Sequence, residues 1–207
     1  MANDTRIKAL LLDIGGVFLT NGWGTPSRKA AAEKFNIDFD EMNERHKIAF
    51  DAYETGKLNL DDYLQLIVFY HNRSFSKEDF KAFMFEQSKP LEPMIDWICR
   101  LKHHYKIKTA AVNNEGRELN DYRVATFKLD RFIDVFVSSS YVHLRKPDRD
   151  IYKLALDIML LKPEETLYID DRPIFTEVAK SIGINAIRHV NLEQTRQCLD
   201  EFGLHMD

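Results

Sequence analysis

One short segment near the start of this chain limits its possible folds more than any other part of the sequence. It is an apolar run followed by one aspartate and two glycines, Leu10-Leu11-Leu12-Asp13-Ile14-Gly15-Gly16-Val17-Phe18. A continuous apolar run is typical of a parallel strand buried on both faces, and paired glycines permit a sharp turn and a close backbone approach. Because ligands in open α/β sheets bind at the carboxyl ends of strands, we predict a binding site at Asp13. The alternative is that Asp13 only caps the turn.

The composition is that of an ordinary soluble globular protein, with 207 residues of which 44% are hydrophobic and 30% charged. This length allows one large domain or one domain with a sizeable insertion. The net charge of −4 favours neither a nucleic-acid nor a membrane partner, and we expect no signal sequence and no membrane span. Cys99 and Cys198 match no metal-ligand spacing. We therefore expect a reduced, cytoplasmic protein that is a monomer or a homodimer.

Residues from about 18 to 89 carry helix signals and no strand signal. Thr25 is a candidate N-cap, with Pro26 at the first helical position, and Ser76 with Asp79 has the spacing of a capping box. Apolar side chains recur at helical spacing between these points. The predicted helices cover about residues 26–35, 40–55, 60–70 and 76 onward. These signals predict a small all-helical domain over residues 18–89.

Strand and helix signals alternate from Pro90 onward. The predicted strands cover residues 107–112, 133–137, 167–169 and 185–187. The predicted helices cover residues 93–105, 118–129 and 148–161, a segment ending at Gly183, and residues 193–202. Together with a first strand over residues 6–12, this alternation predicts a parallel, doubly wound sheet with right-handed crossovers. The predicted fold class is therefore α/β, with a core of residues 1–17 and 90–207 that is interrupted by the helical domain.

Polar residues that could hold a phosphate or a metal ion stand at the predicted strand ends. Asn113-Asn114 and Asp170-Asp171 each follow a strand, and a loop carries Lys146. Since the carboxyl ends of parallel strands meet at one edge, these groups should converge on Asp13. Clustered carboxylates indicate Mg²⁺, which takes oxygen ligands and offsets their repulsion, while lysine and amide groups can hold an anion. The pattern predicts phosphoryl transfer to Asp13 through an aspartyl-phosphate, although each group taken singly is also ordinary turn or cap chemistry.

Four segments resemble the motifs of the haloacid dehalogenase-like (HAD) hydrolase superfamily, and together they span essentially the whole chain. They are Leu-Leu-Leu-Asp13-Ile-Gly-Gly-Val, Ala110-Ala-Val-Asn113-Asn114, Lys146-Pro147-Asp148 with Ile151-Tyr152, and Thr166-Leu-Tyr-Ile-Asp170-Asp171-Arg-Pro. The last is followed by an Ala-x-x-x-Gly-Ile pattern at residues 179–184. The helical domain fits the family's cap between motifs one and two, and Tyr53-Glu54-Thr55-Gly56-Lys57 is similar to a segment common in such caps.

The resemblance implies a role for each matching residue. Asp13 would be the nucleophile and a Mg²⁺ ligand, with the backbone carbonyl of Gly15 as a second ligand. Asp171, or alternatively Asp170, would be the further metal ligand. The groups that would bind the phosphate of a small phosphorylated metabolite are Asn113, Asn114 and Lys146, of which Lys146 would also be catalytic.

Two positions depart from the family pattern. Phosphatases of this family usually carry a second Asp two residues after the nucleophile, where this chain has Gly15. That carboxyl protonates the leaving group and later activates water, and such acid–base help is typically worth about 10²–10⁴-fold in rate. The second motif usually ends in Ser or Thr, and here Asn113 replaces it. An amide can donate the same hydrogen bond, so this second change is the milder one.

Three hypotheses follow from Gly15. The first is a phosphatase for substrates whose leaving group needs little protonation, such as sugar 1-phosphates and acyl phosphates, since the family includes sugar-1-phosphatase-like members with glycine here. The second is a catalytically impaired protein with a binding or regulatory role, against which the retained Asp13, Lys146 and Asp171 argue. The third is a 2-haloacid dehalogenase, which needs no acid. Such members work without metal, so Asp170-Asp171 argues against this third hypothesis.

Overall fold

The fold is built on one parallel sheet. The computed structural model describes residues 7–206, so Arg6, the predicted first residue of the first strand, lies outside the described residues. The strands are β1 Ala9–Leu12, β2 Lys108–Asn113, β3 Val135–Ser138, β4 Thr166–Asp170 and β5 Asn185–Arg188. They lie in the order β3-β2-β1-β4-β5, and every neighbouring pair is parallel. The central strand is therefore the one that ends at Asp13.

Two short 3₁₀ turns, Leu129–Arg131 and Pro163–Glu165, and ten α-helices form the rest of the regular structure in the described part of the chain. The α-helices are α1 Thr25–Lys34, α2 Phe39–Glu54, α3 Leu60–Ile67, α4 Lys77–Glu86, α5 Glu92–Tyr105, α6 Arg117–Phe127, α7 Ser139–Val142, α8 Arg149–Met159, α9 Pro173–Ser181 and α10 Leu192–Asp200. None of them is long and apolar enough to cross a membrane.

Both faces of the sheet are covered by helices. Leu10 and Leu12 of β1 belong to an apolar cluster with side chains of α5 and α10. Ala9 and Leu11 belong to a second cluster with side chains of α8 and α9. Successive side chains of a strand point to opposite faces, and all four of these are fully buried. The arrangement confirms the predicted doubly wound α/β fold.

The first four of the five helices between β1 and β2, α1 to α4, are called the cap helices here. They share an apolar cluster of their own, which includes Met42, Tyr63 and Phe80. Among the described residues, only Leu119 of α6 joins its buried members from outside residues 18–89. Three of the four begin with a side-chain cap, and the predicted capping box of Ser76 with Asp79 is present. The cap helices thus bury apolar side chains largely against one another, and the division of the chain into two domains stays a prediction.

The element boundaries differ from the predicted ones in small ways that have physical reasons. Gly24, not Thr25, is the N-cap of α1, since the helix begins one residue earlier. Strands β2 and β4 run on into Asn113 and Asp170, because these polar residues pair with Ser138 and Arg188 of the neighbouring strands. The four-residue helix α7 was not predicted, since one helical turn is too short to show a periodicity.

Candidate active site

Asp13 lies where three strands of the sheet end. Leu12 pairs with Ala111 of β2 and with Ile169 of β4. The backbone N–H of Asp13 then donates to the carbonyl of Ile169 at 2.9 Å, which carries the ladder one residue further. The side chain of Asp13 is buried. The register therefore brings Asp13 beside Asp170, as the parallel sheet predicted.

Lys146 joins the acidic groups of the site. Its Nζ donates to Oδ1 of Asp13 at 2.9 Å, to Oδ2 of Asp170 at 2.7 Å and to the hydroxyl of Tyr168 at 2.9 Å. Only 1% of the Lys146 residue surface is exposed. Burial opposes the charge of this ammonium, but Asp13 and Asp170 raise its pKa above the usual value. Lys146 is therefore a fixed positive charge next to the predicted nucleophile.

The Asp13 carboxyl has a raised pKa. Burial is the largest cause, the charge of Lys146 opposes it, and the neighbouring Asp170 and Asp171 raise it further, to about 7. A cation bound between these carboxylates would offset their repulsion and favour the ionised, nucleophilic form. The electrostatics of the site thus fit a bound cation better than an empty acidic cluster.

Asp170 and Asp171 have different surroundings. Oδ2 of Asp170 accepts from Lys146 and from the hydroxyl of Tyr168, and Oδ1 accepts from the backbone N–H of Arg172 at 2.8 Å. In contrast, Oδ1 of Asp171 is buried and has no hydrogen-bond partner. Carboxylate oxygens of Asp13, Asp170 and Asp171 all lie within 4.8 Å of one another. This is the oxygen donor set that Mg²⁺ prefers, and Asp171, unlike Asp170, has an oxygen without a hydrogen-bond partner among the described residues.

Gly16 allows the turn after β1 to pack against this acidic cluster. Its φ is +81°, and a Cβ at this position would overlap the carboxylate of Asp171. Any side chain here would push the turn away from Asp171, and the positive φ would add strain. The second glycine of the opening motif is thus required by the close approach as well as by the turn.

The two asparagines at the end of β2 make internal hydrogen bonds. Nδ2 of Asn113 donates to Asn120 at 3.0 Å, and its Oδ1 accepts from Ser138 at 2.7 Å. Asn114 holds the loop of Lys146 at two points, donating to its carbonyl and accepting from its N–H, each at 2.8 Å. Both asparagines also line the cavity at Asp13. The contacts of Asn114 fix the backbone that carries Lys146, and phosphate binding by either amide stays a prediction.

The space facing Gly15 is occupied by other side chains. A Cβ at Gly15 would lie 3.0 Å from Oδ1 of Asn21 and 3.9 Å from Nη1 of Arg123. Arg123 is buried, donates to Ser88 and to the carbonyl of Thr20, and forms an ion pair with the buried Glu115. A guanidinium is a hydrogen-bond donor that keeps its proton at neutral pH. The two side chains that face Gly15, Asn21 and Arg123, therefore supply hydrogen bonds and a positive charge rather than a transferable proton.

A cavity of about 250 Å³ opens above Asp13. Its core side includes Asp13, Lys146 and Asn113, and its cap side includes, among others, Trp23, Arg28, His46, Phe50 and Glu54. Trp23 is fixed by a hydrogen bond from its Nε1 to the hydroxyl of Tyr63 at 2.9 Å. The volume suits a small metabolite, and the cap helices supply the wall opposite the acidic cluster.

Glu54, at the end of α2, connects the cap helices to the loop that carries Lys146. Oε2 of Glu54 lies 2.5 Å from Nη2 of Arg145, and the carbonyl of Glu54 accepts from Ser139 at 2.7 Å. Burial raises the pKa of this carboxyl to about 7 despite Arg145. Arg145 also pairs with the exposed Asp51, so its charge is shared between two carboxylates. Burial therefore outweighs the ion pair at Glu54.

Comparisons with known proteins agree with this geometry. The sequence profile of the family described as "Haloacid dehalogenase-like hydrolase" matches residues 16–189. The match covers most of the chain, which therefore belongs to this family.

Two curated relatives carry names of phosphate-releasing enzymes. The chain is 32% identical to the "Putative pyrophosphatase PpaX" of Caldanaerobacter subterraneus subsp. tengcongensis over 48% of its own length and 45% of that protein. It is 28% identical to the "Phosphorylated carbohydrates phosphatase" of Thermotoga maritima over 54% of its own length and 55% of that protein. The chain thus spans about half the length of the curated relatives it matches.

Solved structures show the same fold at lower identity. A HAD family enzyme from Bacteroides thetaiotaomicron, in complex with magnesium and inorganic phosphate, superposes with a TM-score of 0.74 at 20% identity, over 89% of this chain and 94% of that one. The L-2-haloacid dehalogenase of Xanthobacter autotrophicus superposes with a TM-score of 0.63 at 15% identity, over 94% and 81%. At such identities these structures support the fold and leave the activity open.

The structure adds residues to the site that sequence analysis missed. Tyr168 could have been found, because it stands two residues before Asp170 and the alternation of a strand puts both on one face. The cavity-lining Arg28, Glu115 and Arg123 gave no comparable signal, since charged residues on helices and turns are usually solvated. Their burial became visible only with the packing of the cap helices on the sheet edge.

Proposed function

We propose that this protein is a Mg²⁺-dependent phosphatase that forms an aspartyl-phosphate on Asp13. The observation that carries the proposal is the contact of the Asp13 carboxylate with Nζ of the buried Lys146 at 2.9 Å, within an acidic cluster that opens into a cavity. The names of the two curated relatives and the magnesium and phosphate bound to the Bacteroides enzyme support it.

The residues that would hold Mg²⁺ are Asp13, Asp171 and the backbone carbonyl of Gly15. The unpartnered Oδ1 of Asp171 supports this choice, since every oxygen of Asp170 already has a hydrogen-bond donor. Asp170 remains the alternative ligand. When bound, the cation would neutralise negative charge that develops on the phosphoryl oxygens.

The residues of the chain would then act in two half-reactions. An oxygen of Asp13 attacks phosphorus, the bond from phosphorus to the leaving oxygen breaks, and an acyl phosphate forms on Asp13. Water then attacks the same phosphorus, which releases inorganic phosphate and restores the carboxylate. Lys146 holds the Asp13 carboxylate in place and would stabilise the transferring group as a fixed positive charge. The amides of Asn113 and Asn114 would donate to its oxygens.

Gly15 limits the substrates that such a site can process. Without a carboxyl at this position, a leaving group that needs protonation departs slowly. A hemiacetal hydroxyl or a carboxylate departs more easily than an ordinary alkoxide, so sugar 1-phosphates and acyl phosphates are the favoured class of small phosphorylated metabolite. The guanidinium of Arg123, which faces Gly15, supports this restriction, because it donates hydrogen bonds but keeps its proton.

A second candidate is a binding or regulatory protein on an impaired catalytic scaffold. The absence of a carboxyl at Gly15 favours it, whereas the buried contact between Asp13 and Lys146 is not needed for such a role. A dehalogenase is the weakest of the three hypotheses, because a metal-free reaction gives no reason for the cluster of Asp13, Asp170 and Asp171.

Phosphate release from a substrate panel tests the proposal. The panel contains α-glucose 1-phosphate, acetyl phosphate and simple alkyl phosphates, each assayed with Mg²⁺ and with a chelator. We expect turnover of the first two that requires Mg²⁺ and is abolished by Asp13→Asn. No release from any substrate, together with no Mg²⁺ binding by calorimetry, would refute the phosphatase and favour the binding protein.

A further inference from the structure

The charged groups that line the cavity are not all balanced. Lys146 pairs with Asp13 and Asp170, Arg123 pairs with Glu115, and Glu54 pairs with Arg145. Two cations in the lining, Arg28 and Arg172, form no ion pair with any described residue. Arg172 is exposed and therefore solvated, but Arg28 is only 7% exposed. A buried charge without a counter-ion is unfavourable. Arg28 is therefore the buried charge in the lining that the described residues leave unbalanced.

Only neutral acceptors surround the Arg28 guanidinium in the described structure. Nη1 donates to the carbonyl of Trp23 at 2.7 Å, and Nη2 donates to Oγ1 of Thr25 at 3.2 Å and to Oδ1 of Asn43 at 3.0 Å. Nε also donates to Oδ1 of Asn43, at 3.3 Å. A guanidinium has five N–H groups, so these four bonds leave one N–H on Nη1. The Arg28 guanidinium is thus held by four hydrogen bonds, keeps its charge, and has one N–H group without an acceptor among the described residues.

His46, which lines the same cavity, is a neutral donor beside this charge. Trp23 donates to the hydroxyl of Tyr63, and that hydroxyl lies 2.6 Å from Nδ1 of His46. Because the Tyr63 oxygen already accepts from Trp23, its proton is directed to Nδ1, which leaves the imidazole proton on Nε2. Burial and the nearby Arg28 lower the pKa of His46 to about 3. His46 therefore adds an N–H to the cap side of the cavity without adding a second charge.

We propose that Arg28, with His46 beside it, forms a subsite for a second anionic group of the substrate, a carboxylate or a second phosphate. The phosphoryl group would lie against Asp13 and Lys146 on the core side. The second anionic group would form an ion pair with the Arg28 guanidinium on the cap side. This inference rests on the proposed function and narrows it, from small phosphorylated metabolites to those that carry a further negative charge.

Binding of unreactive phosphonates tests the subsite without any need for turnover. A series of ω-carboxyalkyl phosphonates from phosphonoacetate to 4-phosphonobutyrate is compared with alkyl phosphonates of the same length, by calorimetry with Mg²⁺ present. We expect at least one carboxylate-bearing member to bind wild-type protein about tenfold more tightly than its alkyl match, as a hydrogen-bonded charge pair would give. In Arg28→Gln this ratio should fall to about 1, while Arg28→Lys should keep part of it.

The control variant is Lys29→Gln, which removes an exposed charge from the next position of the same helix; it should keep the wild-type ratio. Ratios near 1 across the whole series in wild-type protein would overturn the subsite, and so would a ratio that survives in folded Arg28→Gln. If Arg28→Gln does not fold, retention of the full ratio in Arg28→Lys and its loss in His46→Ala would move the subsite away from Arg28 and also overturn the proposal. Failure of the phosphatase itself would appear separately, as a lack of phosphate release from every ester, because the phosphonates bind without reacting.

Discussion

Lys146 compensates the charge of a site that would otherwise hold three carboxylates close together. Its Nζ contacts Asp13 and Asp170 directly, and Asp171 completes the acidic group within 4.8 Å. Lys146→Met would keep most of the side-chain volume and remove the charge. We expect it to lower the free energy of unfolding by about 3–5 kcal/mol in chelator, because it leaves buried carboxylates unpaired.

Urea unfolding with and without Mg²⁺ measures this effect. If the acidic cluster holds the cation, saturating Mg²⁺ should recover part of the stability lost in Lys146→Met. Lys153→Met, at an exposed lysine paired with Asp150, is the matched control and should change stability little. Equal losses in the two variants would contradict the role given to Lys146.

Gly15 sets the leaving-group preference in the proposed mechanism. Gly15→Asp would restore a carboxyl at the position where related phosphatases carry their acid. We expect it to raise the rate on simple alkyl phosphates by at least about tenfold, a fraction of the usual acid–base contribution, and to change acetyl phosphate hydrolysis much less. The gain is limited because the new side chain must move Asn21 and would face Arg123. A folded variant that is no better than wild type on alkyl phosphates would show that Gly15 does not limit them.

At the scale of elements, α2 is coupled to the catalytic loop through a buried acid. The Glu54 carboxyl has a pKa of about 7 in the folded protein against an ordinary value of 4.5. Below pH 4.5 it is protonated in both states and has no effect on stability. Between these two values the Glu54 carboxyl is ionised in the unfolded chain and still protonated in the folded protein. The folded state therefore loses stability as the pH rises, and the loss is complete above pH 7.

Glu54→Gln removes this titration. We therefore expect the variant to become more stable relative to wild type between pH 5 and pH 8, by on the order of 2–3 kcal/mol, as measured by urea unfolding at both pH values. Asp51→Asn removes the exposed partner of the same Arg145 and should show a much smaller change between the two pH values. A difference between Glu54→Gln and wild type that is the same at both pH values would contradict a buried, titrating Glu54.

The elements themselves could largely be predicted from the sequence. The apolar run at Leu10–Leu12 indicated a strand buried on both faces, and helices cover both faces of β1. The helix α7 was missed because it is a single turn. The predicted helix over residues 118–129 ended two residues beyond α6, at Leu129, which is the first residue of the 3₁₀ turn Leu129–Arg131.

The core side of the site, at the carboxyl ends of the strands, could be predicted from the sequence. Asp13, Lys146 and Asp170 follow strands or a loop in one frame, and the parallel sheet brings their side chains together as expected. The place of Arg28 in the cavity was not predictable, because it lies on a helix whose charged residues look solvated until packing buries them. When the burial of a charged residue depends on contacts with residues distant in sequence, the local sequence pattern says little about that burial.

At the scale of the whole molecule, the cavity is lined by the edge of the sheet on one side and by the cap helices on the other. The sheet edge supplies Asp13, Lys146 and the acidic pair, whereas the cap helices supply Arg28, His46 and Glu54 to the same cavity. Chemistry and selectivity would therefore depend on different parts of the chain. Changes at Arg28 should alter which substrates bind, and changes at Asp13 should remove turnover of all of them.

Covalent labelling of Asp13 tests the proposed reaction most directly. Wild-type protein is mixed with Mg²⁺ and acetyl phosphate that is radiolabelled at phosphorus. The reaction is quenched in acid within the first turnovers, and the protein is digested for peptide analysis. The proposed mechanism predicts label on the peptide that contains Asp13, no label when Mg²⁺ is chelated, and none in Asp13→Asn, which preserves the side-chain shape. Phosphate release that continues in Asp13→Asn with no labelled peptide in wild-type protein would contradict it.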